Sequence, residues 1–131
     1  MSPSLEEGDR LMVDRLSYSV TDVDRFDVVV LRDPRNPGVD FVKRVVGLPG
    51  DLVEMCAGQL SVNGEPVSER FGHVVDRVAR GAWVVPDDSY FVLGDNRPIS
   101  CDSREFGMVG HDLLKGRVRL CFWPPDRLSV F

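Results

Sequence analysis

A mainly β fold, a barrel or sandwich of short antiparallel strands, is what the sequence predicts, and three observations predict it. Short apolar or alternating runs recur along the whole chain. Clusters of Gly, Pro, Asn and Asp separate them at close intervals, and no segment carries the 3.6-residue apolar period of a long helix.

Taken in order, Arg10–Val13 is the first run, and Asp27–Leu31 is the second, dense in valines whose branched Cβ suits a pleated strand. Asp33-Pro34-Arg35-Asn36-Pro37-Gly38 reads as a turn into Phe41–Val46, and Leu48-Pro49-Gly50-Asp51 as the turn that leaves it. Asp51–Met55 and Gln59–Val62 follow; residues 51–67 read as a small hairpin with Asn63-Gly64 as a type I′ corner. Residues 68–81 are polar with scattered apolar positions and read as a surface excursion, part of a small subdomain spanning about residues 62–83. Ala82–Val85, the turn Val85-Pro86-Asp87-Asp88, Tyr90–Leu93 and Arg117–Phe122 complete the set. With no repeat or linker, residues 1–131 form a single domain.

The 131 residues are 43% hydrophobic and 28% charged, ordinary for a globular protein with a real core, and carry a net charge of −5. No basic cluster exceeds a pair, which argues against nucleic-acid partners. The longest apolar runs are far too short to span a bilayer. Three widely spaced cysteines give neither a disulfide framework nor a zinc pair, and two distant histidines offer few metal ligands. Cys56 and Cys121 lie in apolar contexts and read as small core residues; His73 and His111 read as surface residues. The spacing gives no support to a Cys–His pair.

Two stretches stand out chemically. In Phe41-Val42-Lys43-Arg44-Val45-Val46, strand alternation puts Lys43 beside Phe41 and Val45, and Arg44 beside Val42 and Val46. Arg44 keeps its charge and needs water or a carboxylate, whereas a lysine pressed against apolar surface can give up its proton. The other reading of Lys43 is an edge-strand lysine whose stem covers apolar surface while its head reaches solvent. The second stretch, residues 94–107, packs Asp95, Arg97, Asp102, Arg104 and Glu105 with Asn96, Ser100 and Ser103 directly after a strand. Acid–arginine pairs can pin such a loop in a fixed shape; alternatively it is a solvated turn with weak surface pairs.

Four segments together resemble the type I signal peptidases, serine proteases that use a Ser-Lys dyad. They are Met1-Ser2-Pro3-Ser4-Leu5 with Gly8-Asp9; Arg25-Phe26-Asp27-Val28-Val29-Val30, with Phe26 where the family more often has Gly; Phe41 to Asp51; and Gly94-Asp95-Asn96-Arg97 running on to Ser100-Cys101-Asp102-Ser103-Arg104. They occur in the family's order and cover nearly the whole chain. The resemblance implies that Lys43 is the general base and that Ser100 supplies a hydroxyl that orients it. It implies that Met1, Leu5, Phe41 and Val42, with Asp40 nearby, line the pocket for the small side chain before the cleaved bond. Asp95, Arg97, Asp102 and Arg104 are expected to support the site without acting chemically. A free lysine near pKa ~10.4 is a poor base at neutral pH, and burial can lower it by about 3 to 5 units.

The resemblance further implies substrates with small residues before the cleavage site, a membrane anchor, a catalytic domain on the outer side of that membrane, and no metal or organic cofactor. One departure matters. The family's attacking serine stands immediately before the methionine that here is Met1, so neither Ser2 nor Ser4 occupies its place. The same upstream part would carry a second hydroxyl for the oxyanion hole. Residues 1–131 alone are therefore expected to be inactive. Two other functions remain open at this point: a self-cleaving repressor-type Ser-Lys peptidase, and a module that grips signal peptides without cutting them.

Overall fold

A computed structural model describes all 131 residues, and antiparallel strands account for its architecture. The larger sheet has the order β1-β10-β2-β3-β8-β9, with β11 also on β10. Its members are β1 (Arg10–Asp14), β2 (Val28–Asp33), β3 (Asn36–Gly47), β8 (Ser89–Leu93), β9 (Val109–Gly110), β10 (Leu114–Trp123) and β11 (Ser129–Val130). The smaller sheet, β6-β5-β4-β7, is built from β4 (Leu52–Cys56), β5 (Gln59–Val62), β6 (Glu65–Pro66) and β7 (Arg80–Val84). The sole α-helical turn, α1, is Ser103–Phe106.

The continuous apolar runs are explained by burial on both faces. Along β3, Val45 enters one core cluster with Val29, Leu31, Tyr90 and Val92. Its neighbour Val46 enters another with Val53, Met55, Leu60, Phe91 and Leu93, which joins β3 and β8 to the smaller sheet. A third cluster sets Leu5 of the amino-terminal segment against Val28, Val118 and Cys121. Lys43 thus lies on an interior strand, hydrogen-bonded to β2 on one side and continuing to β8 on the other, which rules out the edge-strand reading.

Several expectations need correction. The turn expected over residues 33–38 is confined to Pro34-Arg35, because Asp33 pairs with Asn36 and β3 runs through Asn36-Pro37-Gly38. The β4–β5 hairpin turns at Ala57-Gly58, both at positive φ, with Cys56 opposite Gln59. Asn63-Gly64 does have the paired positive φ of a type I′ turn, but it joins β5 to the short β6. Ala-Gly is a weaker turn signal than Asn-Gly, so the earlier corner was passed over. Cys56 is exposed, not core, because strand alternation turns it away from Met55; Cys121 is buried as expected. His111 is exposed, whereas His73 is half-buried and reaches Glu69.

Candidate active site

Lys43 projects from the middle of β3 and is 8% exposed, with its ammonium group 5.2 Å from the centre of the Phe41 ring. Burial pushes its pKa below the ordinary 10.5; Asp102, Cys101 and Asp95 pull it back up and Arg104 adds to the lowering, but desolvation prevails. Its Nζ donates to Ser100 Oγ at 3.0 Å. In the neutral amine that bond uses an N–H and leaves the lone pair free to accept a proton from a third group.

The loop that carries Ser100 is held by charge. Asp102, fully buried, accepts Gly94 N–H and caps α1 through Arg104 N–H, while Arg104 grips both of its oxygens at 2.9 Å. Gly94 has to be glycine for want of space: a Cβ there would stand 2.1 Å from Ser100 Oγ and 3.4 Å from Lys43 Nζ. Asp95 makes its pair with a strand residue, not within the loop. Arg44, on the opposite face of β3 from Lys43, presents Nε and Nη2 to the two Asp95 oxygens at 2.9 and 2.8 Å. Ser4 Oγ also donates to Asp95 Oδ2, which ties the amino-terminal segment to the same carboxylate. The fork geometry gives two aligned, charge-assisted bonds between nearly solvent-free groups.

The expected pocket residues come together as well. Met1, Leu5, Phe41, Val42 and Asp40 line one cavity of about 410 Å³ with Lys43, joined by Leu11, Glu6, Glu7 and Asp9. Asp40 sits at its rim, paired with Lys115 at 2.8 Å. Phe41 stacks on Phe106, and Arg35 lies over the Phe106 ring while touching Cys101 Sγ at 2.9 Å. The cavity thus sets apolar side chains beside the lysine together with the carboxylates of Glu6, Glu7, Asp9 and Asp40.

The serines of the first segment are engaged elsewhere. Ser2 Oγ donates to Glu6, and Ser4 Oγ to Asp95 and the Gly72 carbonyl; neither bonds to Lys43. Met1, in contrast, lines the same cavity as Lys43. Sequence reasoning placed Arg44 on the right strand face without finding its partner, named Ser4 only to set it aside as the attacking residue without foreseeing its bond to Asp95, and missed Glu69 altogether. Alternation gave a signal for Arg44; nothing local marks Glu69, whose partner Arg97 is 28 residues away.

Known proteins resemble this chain over most of its length. The family described as signal peptidase, peptidase S26, matches residues 1–123. A probable signal peptidase I-2 of Synechocystis sp. is 38% identical over 135 residues, covering 99% of this chain and 62% of that protein. A signal peptidase I of Bacillus caldolyticus is 38% identical over 138 residues, covering 95% and 75% respectively. The crystal structure of a signal peptidase I from Enterococcus faecalis superposes with a TM-score of 0.64 at 35% identity, covering 75% of this chain and 97% of that one. The chain thus spans about 62% of the length of the Synechocystis relative.

Proposed function

The chain belongs to the signal peptidase family, peptidase S26, and from that premise we propose that it is the catalytic core of a serine endopeptidase that removes signal peptides from preproteins. The observation that carries the reading is the buried Lys43 amine held by Ser100 beside the cavity's apolar side chains.

In this reading the attacking serine is the one that the family has directly ahead of the methionine matching Met1, a position that would adjoin the cavity Met1 and Lys43 both line. Neutral Lys43 takes the hydroxyl proton as oxygen attacks the scissile carbonyl. The resulting ammonium returns the proton to the departing amine, leaving an acyl-enzyme. Lys43 then takes a proton from water as the water oxygen attacks the ester, and the ammonium passes that proton to the departing serine oxygen, which frees the acid and restores the neutral amine. Ser100 fixes the direction of the lone pair. Leu5, Phe41 and Val42 supply the apolar lining that would receive the side chain before the cleaved bond, which suits the small residues of Ala-x-Ala-like sites. The enzyme would act at the outer face of a membrane, as the family resemblance implies; no helix of residues 1–131 is long and apolar enough to cross one.

The test is hydrolysis of a peptide bearing an Ala-x-Ala site. Residues 1–131 should leave it intact, and the same chain with a serine placed directly ahead of Met1 should cleave it after the second alanine. Comparable cleavage by both would move the nucleophile to Ser2 or Ser4. Binding without cleavage by both would favour the module that grips signal peptides.

A further inference from the structure

Residues 67–79 run from the smaller sheet across the outside of the Ser100 loop and are fastened to it at several points. Val74 N–H donates to the Asp95 carbonyl at 2.8 Å, and Arg97 N–H returns a bond to the Val74 carbonyl at 3.1 Å. Arg104 reaches Asp76 at 3.6 Å. The innermost tie is ionic: Arg97 Nη2 donates to Glu69 Oε1, with side chains 2% and 6% exposed. His73 Nε2 lies 3.3 Å from the other Glu69 oxygen.

We propose that Glu69 is a positioning residue for the Lys43–Ser100 pair, acting through Arg97 and the Gly94 carbonyl. This rests on the reading of Lys43 as general base. Arg97 Nε donates to the Gly94 carbonyl at 2.8 Å, Gly94 is the backbone surface against which Ser100 Oγ packs with no room for a Cβ between them, and Ser100 Oγ accepts from Lys43 Nζ at 3.0 Å. The contacts therefore run unbroken from Glu69 to the reactive amine. A stabilising role alone does not account for the pair, since apolar groups of similar volume would fill the space at least as well. What the ion pair adds is direction. The planar guanidinium has its donors fixed in one fork, so holding one arm on Glu69 aims Nε at a single carbonyl.

The titration of Lys43 provides the test, because this chain contains only two lysines, Lys43 and Lys115. With lysine labelled by 13C at Cε, the midpoint of the Lys43 signal is followed by NMR in the wild type, Glu69→Gln and Glu69→Asp, with Lys115→Arg assigning the resonances. The charged and titratable groups around Lys43 are Asp102, Asp95, Cys101, Arg104 and the Met1 amine, with Glu6, Glu7, Asp9 and Asp40 lining the same cavity, and none is altered by these substitutions. Glu69→Gln should raise the midpoint by about one unit or more, as the loop loosens and water reaches the amine. Glu69→Asp, which keeps the charge on a shorter arm, should raise it less. Simple removal of a nearby anion would lower the midpoint, so the sign separates positioning from bare charge. A folded Glu69→Gln protein with an unchanged or lowered midpoint overturns the proposal. Should Glu69→Gln lose the fold, an unchanged midpoint in Glu69→Asp does so. A wild-type midpoint at the ordinary 10.5 would instead remove the general-base reading itself.

Discussion

Lys43 Nζ stands 3.0 Å from Ser100 Oγ across 57 residues of sequence, and the amine has no second side-chain hydrogen-bond partner. Ser100→Ala removes that bond without opening a sizeable cavity. In the chain carrying a serine ahead of Met1, kcat should fall on the order of 10²-fold, the lower end for a positioned proton-transfer group, with KM little changed. Steady-state kinetics on an Ala-x-Ala peptide measures it. A fall in KM-dependent binding alone would assign Ser100 to the substrate pocket.

Lys43 should also weaken the fold in a pH-dependent way. Its folded pKa lies below the unfolded value of 10.5, so between those midpoints the unfolded chain holds more protons than the folded one. Stability then falls as pH drops through that window and levels off below the folded midpoint. Lys43→Met should accordingly be more stable than the wild type at neutral pH, by about 1.4 kcal/mol for each unit of depression. Above pH 10.5 this titration-linked gain should vanish. Urea unfolding of both proteins across the alkaline range gives the difference directly.

The Arg44–Asp95 pair predicts a strong non-additivity. Asp95 has no exposed surface, and Arg44→Met leaves its carboxylate with the Ser4 hydroxyl in place of a cation. The single substitution should cost about 3 to 5 kcal/mol, while Arg44→Met combined with Asp95→Asn should recover a large part of it. Denaturation of the three variants completes the cycle. A loss in the double variant equal to the sum of the two single losses would show that the pair is not coupled.

Phe26 occupies a left-handed backbone conformation, φ 73°, at the position where the family more often has glycine. Its ring meets Phe71 edge-on at 5.2 Å, and Phe71 in turn lies 3.8 Å beneath the Arg44 guanidinium. The aromatic contact offsets a backbone cost of about 1 to 2 kcal/mol. Phe26→Ala keeps the backbone cost and loses the contact; Phe26→Gly loses both. The glycine variant should therefore be more stable than the alanine variant by about 1 kcal/mol, as read from urea midpoints.

Much of this was legible in the sequence because it was written in short-range patterns. Short apolar runs between turn signals placed β3 and β8, Asn63-Gly64 marked a turn, and the density of acids and arginines in residues 94–107 announced a pinned loop. The Lys43–Ser100 bond itself entered through a family resemblance, since strand periodicity shows which face a lysine takes but not what the loop beyond the neighbouring strand brings to it. Partners chosen by the fold stayed hidden. Asp95 takes Arg44 and Arg97 takes Glu69, although both have opposite charges nearer in sequence, because local backbone geometry aims the side chains away from them. The exposed Cys56 shows the converse failure: an apolar neighbourhood in sequence does not fix a side chain's face when the register is set by a turn at Ala57-Gly58.

The most direct measurement is the pH dependence of kcat/KM for the chain with a serine ahead of Met1, compared with its Lys43→Met counterpart. The account predicts a single ascending limb whose midpoint lies well below the ordinary 10.5 of a lysine, and no hydrolysis above background once Lys43 is methionine. A limb centred at that ordinary value, or activity that survives Lys43→Met, would contradict it.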